Sequence, residues 1–92
     1  MIEHRVRVTN RLGLHARAAA LLVRTASAFS CALRLERADG TASADAKSIL
    51  SVLMLAASRG TELLVTAEGA DEAEAMGAVC ALFAEGFGEN ER

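Results

Sequence analysis

His15 is the residue in this chain best placed to do chemistry. It follows Gly13-Leu14 and precedes Ala16-Arg17-Ala18-Ala19, at the point where the pattern of apolar residues changes from strand-like to helical. A ring there lies beside backbone N–H groups that have no partner within the helix, and those groups attract anions. A neutral imidazole nitrogen at such a place can attack as a nucleophile, and the same N–H groups would stabilise a phosphoryl group once transferred. Arg17, two residues on, can reach the same anion with a forked guanidinium. A histidine in a loop before a helix is most often only solvated, so its neighbours must decide the matter. Ser48, in Lys47-Ser48-Ile49, stands at the start of a second apolar segment, where it or Asp45 can cap a helix. Cys31 and Cys80 lie in no CxxC or metal-ligand spacing and read as buried small hydrophobes, and no metal site is expected. His4 has no acid or ligand at suitable spacing and reads as a strand-end residue on an apolar face.

The elements that must hold these residues follow from periodicity. Ile2, His4, Val6 and Val8 alternate with Glu3, Arg5, Arg7 and Thr9, which predicts a strand with one buried face. Ala19, Leu22, Val23 and Ala26 then fall on one helical face. Cys31, Leu33 and Leu35 alternate as a second strand, and Asp39-Gly40 predicts a hairpin into a short third strand near Thr41 to Ser43. Lys47 to Ala57 reads as a helix that is apolar nearly all round. Leu63, Val65 and Ala67 form a fourth strand. Asp71 and Glu74 have capping-box spacing before a stripe of Met76, Val79, Cys80 and Phe83, a third helix ending near Gly86. The acidic stretch from Glu85 to Glu91 reads as a solvated tail. The order β-α-β-β-α-β-α implies an α+β sandwich of two layers, and periodicity alone would allow a ferredoxin-like arrangement.

With 92 residues there is room for a single core. Three Phe are the only aromatic residues against twenty Ala, which argues against nucleic-acid binding by base stacking. The net charge of −2 is too small to capture nucleic acid or membrane, but residues 1 to 37 carry +5 while residues 61 to 92 carry −7. No apolar run approaches the roughly 20 residues needed to span a bilayer, and MIEHRVRV does not read as a signal peptide. The expectation is a cytoplasmic, reduced domain.

Gly13-Leu14-His15-Ala16-Arg17, opening the first helix after the first strand, resembles the active-site signature of the HPr family, the histidine-containing phosphocarriers of the phosphoenolpyruvate-dependent phosphotransferase system. Lys47-Ser48-Ile49, with Leu50, Val52, Leu53 and Leu55, is similar to the family's regulatory serine segment. Gly69-Ala70-Asp71-Glu72-Ala73-Glu74-Ala75 is similar to the opening of its last helix. The resemblance runs from residue 1 to about 88 and leaves 89–92 as a short acidic tail. It implies an open-faced β-sandwich, a four-stranded antiparallel sheet with three helices on one face.

The resemblance further implies a carrier that accepts a phosphoryl group from enzyme I at Nδ1 of His15, with Arg17 screening it, and passes it to an EIIA-type acceptor protein. Ser48 matches the regulatory phosphorylation position, read by an HPr kinase/phosphorylase where the cell has one. No cofactor is implied beyond the transient phosphoryl group. Ala16, Ala20, Leu21, Leu50, Leu53 and Met54 would form an apolar collar for partners, with Arg11, Arg17 and Arg24 as a basic rim, and the chain would act as a monomer. Two positions depart from the family pattern: Ala18 stands where the signature has Pro, and Leu12 where many members carry a small polar residue. The competing readings are a regulatory phosphoprotein of the nitrogen-related branch and, in a different class, a small-molecule-binding module of ferredoxin-like fold, which needs no phosphorylatable histidine.

Overall fold

In a computed structural model that describes residues 1–89, the chain forms β1 (Ile2–Arg7), α1 (Ala16–Ser27), β2 (Ala32–Arg37), β3 (Ser43–Asp45), α2 (Ile49–Leu53), β4 (Glu62–Glu68) and α3 (Glu72–Ala84). A single 3-10 turn, Gly86–Gly88, follows α3. The four strands make one antiparallel sheet in the order β1-β4-β2-β3. The register sets Val6 opposite Leu63 and Leu35 opposite Val65. The inward residues Leu33, Leu35, Leu63, Val65 and Ala67 are therefore all buried under the helices. The helices α1 and α3 pack on each other, α3 covers β1 and β4, and α2 packs on α1. This is the open-faced α+β sandwich expected from the sequence.

The alanine content has a direct structural use. Ala18, Ala19 and Ala26 of α1 and Ala75 of α3 have no exposed surface, and at these positions a helix backbone can approach its neighbours without a void. Leu22 supplies the bulk between them. His4 shares the side of β1 occupied by the half-buried Ile2 and Val6 but is itself exposed, on an edge strand. Cys31 is buried as expected, while Cys80 is only half-buried.

Three local expectations need correction. The third strand begins at Ser43 rather than near Thr41, since Asp39 Oδ1 accepts hydrogen bonds from Thr41 N at 3.0 Å and Thr41 Oγ1 at 2.6 Å, which spends residues 39–41 on the turn. The second helix stops at Leu53, not Ala57. There the chain tightens through i→i+3 bonds from Leu55 to Val52 and Ala56 to Leu53, and Ala56 turns left-handed at φ 51°. Arg37 Nη1 donates to the carbonyls of Leu55 at 3.0 Å and Ala56 at 3.3 Å, capping that end from β2. Asp71 does occupy the N-cap position of α3, but its side chain makes no capping bond.

Asp71 instead joins the start of α3 to the start of β2. Its carboxylate accepts from Ser30 N at 2.9 Å, Ser30 Oγ at 3.3 Å and Cys31 N at 2.9 Å. The Ser30 amide is the main reason its carboxyl sits below the ordinary value, with burial opposing and Cys31 assisting. A lowered carboxyl contributes stability that is present above its unfolded value of 3.8 and is lost as pH falls through the folded one. Asp71→Ala should therefore lower the melting temperature at pH 7, and its deficit against wild type should shrink in scans below pH 3.8. A deficit that is constant with pH would mean the carboxylate charge is not what holds the turn.

Candidate functional site

The loop before α1 is held so that His15 must cap the helix. Leu14 is buried and its N–H donates to Ala57 O at 2.9 Å, tying the loop to the segment after α2. Gly13 N donates to Asn10 O at 3.2 Å, closing a turn in which Gly13 takes φ +68°. A Cβ on Gly13 would lie 2.6 Å from Ala57 O and 2.9 Å from Ser58 Cα, both backbone atoms, so side-chain movement gives no relief. His15 then adopts φ −77° and ψ −178° at the N-cap of α1. Its carbonyl accepts from Ala19 N at 2.8 Å and its Nδ1 accepts from Arg17 N at 3.4 Å.

The other ring nitrogen meets a carboxylate that the sequence reading placed in a solvated tail. Glu89 Oε2 lies 2.8 Å from His15 Nε2 and 2.6 Å from Arg17 Nη1, and Oε1 accepts from Asn10 Nδ2 at 3.0 Å. A carboxylate requires a proton on Nε2 and a backbone N–H requires a lone pair on Nδ1. These partners select the Nε2–H tautomer and leave the lone pair on Nδ1, at the helix start. Burial pushes the Glu89 carboxyl up, but hydrogen bonds from Asn10, His15 and Arg17 outweigh it and leave the group below the ordinary carboxylate range.

Phe87 explains why the chain returns to the site. It is buried and packs edge-on against Phe83 with ring centroids 5.0 Å apart, and it takes φ 56° to do so. The left-handed backbone costs about 1–2 kcal/mol, while burying a Phe contributes about 1.5–3 kcal/mol. Packing therefore wins, and Glu89 is delivered two residues later. An aromatic between two glycines, Gly86-Phe87-Gly88, was the available signal that this acidic stretch is anchored. Glu85 is exposed as expected, and Glu91 lies outside the described residues.

Asn10 is the second site residue that sequence reasoning missed. It is 1% exposed, donates from Nδ2 to Gly13 O at 2.8 Å as well as to Glu89, and its Oδ1 has no partner among the described residues.

Arg11, Leu12, His15, Arg17 and Glu89 line an open depression of about 310 Å³. Guanidinium, helix amides and an imidazole lone pair facing one open space suit a small anion. Among the described residues no three His, Cys, Asp or Glu side chains gather as a metal site. Ala18 is the third residue of α1, fully buried, and its N–H belongs to the first turn.

The collar residues Leu50 and Leu53 of α2 and Met54 at its C-cap are exposed, as is Ala16 on α1, while Ala20 and Leu21 are half-buried. Ile49 and Leu12, 43% and 62% exposed, enlarge the apolar surface beyond the residues expected. Arg24 lies exposed in the last turn of α1. Ser48, rather than Asp45, caps α2, its Oγ accepting from Ser51 N at 3.3 Å. No helix among the described residues is long and apolar enough to cross a membrane.

Comparison with known proteins agrees with this fold. The family model described as "PTS HPr component phosphorylation site" matches residues 2–85. Phosphocarrier protein HPr of Xylella fastidiosa (strain Temecula1) is 47% identical over 90 residues, covering 98% of this chain and 99% of the relative. Phosphocarrier protein NPr of Escherichia coli (strain K12) is 39% identical over 89 residues, covering 97% and 98%. The crystal structure of HPr-C-His from Thermoanaerobacter tengcongensis superposes with a TM-score of 0.92 at 41% identity, covering 99% of this chain and all of that one.

Gly13→Ala tests the loop geometry. Placing an L side chain at φ +68° against two backbone atoms should lower stability by about 1–3 kcal/mol, measured by urea unfolding. A variant as stable as wild type would show that the loop does not depend on the close approach to Ala57.

Proposed function

Because this chain belongs to the HPr family of phosphocarrier proteins of the phosphotransferase system, we propose that it accepts a phosphoryl group from phosphorylated enzyme I on His15 Nδ1 and passes it to an EIIA-type acceptor protein. The observation that carries this reading is the division of labour between the ring nitrogens, with Nε2 held by Glu89 and Nδ1 at the start of α1. In the forward step the Nδ1 lone pair forms a bond to phosphorus as the bond to the donor breaks. The proton on Nε2 stays in place, and the positive charge that develops on the ring faces the Glu89 carboxylate. The transferred oxygens meet the first-turn amides of α1. Arg17 spends one N–H on Glu89, and its remaining donors can screen the phosphoryl group. Onward transfer is the same step reversed, so the carrier has to supply position and charge rather than a further catalytic group.

Two different partners must reach one nitrogen, which favours an exposed docking face over a cleft. The apolar residues Leu50, Leu53 and Met54 with the rim of Arg11, Arg17 and Arg24 fit partners that offer an apolar patch edged with acids. One copy holds every residue of the proposed site, so transfer needs no second copy. Ser48 is the regulatory position where a matching kinase is present. A phosphate there puts close to two negative charges beside the collar, and docking would have to desolvate them. A regulatory carrier of the nitrogen-related branch would use the same chemistry with a different acceptor.

Incubation with phosphoenolpyruvate and enzyme I should add one phosphoryl group to the wild-type mass and none to His15→Ala. Equal labelling of both would remove His15 from the reading. Arg17→Ala should slow transfer without lowering the melting temperature, as its side chain is 65% exposed. Ser48→Asp should bind enzyme I more weakly at unchanged stability. Discharge of the labelled protein by a sugar-specific EIIA, but not by a nitrogen-branch acceptor, assigns the branch, and the opposite preference would transfer it to the regulatory one.

A further inference from the structure

Asn10 is the one polar side chain that is fully buried among the described residues, and both of its bonds are directed at the site. Nδ2 gives one proton to Gly13 O at 2.8 Å and the other to Glu89 Oε1 at 3.0 Å. The orientation of the amide is fixed by chemistry, because a flipped amide would set Oδ1 against two acceptors. Asn10 therefore spans the two parts of the site that come from opposite ends of the chain. One is the turn that delivers His15. The other is the carboxylate that reads its Nε2. Glu89 has two oxygens, and Asn10 occupies one of them, which leaves Oε2 for His15 and Arg17.

We propose that Asn10 is a positioning residue for His15: by holding the Gly13 carbonyl and Glu89 Oε1 with a single amide, it sets Oε2 against Nε2 and so determines which ring nitrogen keeps its lone pair. The hydrogen bonds of Asn10 go to Gly13 and Glu89 and not to the ring, and Asn10 is not among the residues that line the depression; it acts through Glu89. Its effect on phosphoryl transfer rests on the function proposed above, whereas its effect on the ring does not.

The test uses Asn10→Leu, which keeps the branched shape and removes both donors. In nitrogen-15 spectra of the unphosphorylated protein, taken at a pH above the ordinary histidine range, wild-type His15 should carry its proton on Nε2 alone. Asn10→Leu should show a mixture of tautomers, and its initial rate of phosphorylation by enzyme I should fall roughly tenfold. Glu89→Ala should have the same consequences, and adding Asn10→Leu to Glu89→Ala should change the rate by no more than about twofold, because the second residue acts through the first. A single unchanged tautomer and full rate in Asn10→Leu would overturn the proposal, as would additive losses in the double variant. If Asn10→Leu does not fold, the side-chain amide resonances of Asn10 decide: they should shift in Glu89→Ala, and unmoved resonances would refute the link. A wild-type chain that enzyme I never labels would sink the carrier reading, while the tautomer comparison would still decide the role of Asn10.

Discussion

A helix that begins one residue after a histidine, with the preceding glycine pressed against another backbone, leaves that histidine little choice of position. Gly13 lies too close to Ala57 and Ser58 for a Cβ, and Leu14 is hydrogen-bonded to the same segment. The next residue must turn into α1 as its N-cap. His15 is a poor cap by preference, since its nitrogen reaches Arg17 N only at 3.4 Å, compared with the oxygen of Ser, Thr or Asp usual at such positions. The weakness of that bond is what keeps Nδ1 available. The rest of the molecule can be understood as support for this one placement: α2 and its C-terminal turn provide the wall, Arg37 caps that turn, and the sheet carries both.

The second half of the site depends on packing at the far end of the chain. Phe87 is driven into the core beside Phe83 and accepts a left-handed backbone to get there. Glu89 consequently arrives at His15 with 16% of its side chain exposed, close enough to bind three donors. A residue delivered in this way needs no regular element of its own, which suits a chain of 92 residues with a single core.

The strongly periodic segments were legible from sequence. β1, α1, β2, β4 and α3 each show a sustained alternation or an i, i+3, i+4, i+7 stripe, and local pattern and tertiary burial agree in all of them but β1, where His4 is exposed. The reading failed where a long-range side-chain bond decided the outcome. Asp71 has the spacing of a capping residue, but its carboxylate goes to Ser30 and Cys31, about forty positions away in sequence. The end of α2 depends on Arg37 and on left-handed Ala56. At the site, His15 and Arg17 were visible because they sit on one local motif. Asn10 and Glu89 were not, because their meaning comes from meeting each other across 79 residues of chain. An acidic stretch reads as solvated until the buried Phe87 inside it is given weight.

The proposed transfer depends on which nitrogen of His15 takes the phosphoryl group. Nuclear magnetic resonance of the phosphorylated protein, with nitrogen-15 in the ring, distinguishes the two phosphohistidine isomers directly. The geometry predicts phosphorus on Nδ1, with the Nε2 proton retained and held by Glu89. Phosphorus on Nε2 would require Glu89 to be displaced from the ring, and that result would contradict the division of labour on which the mechanism rests.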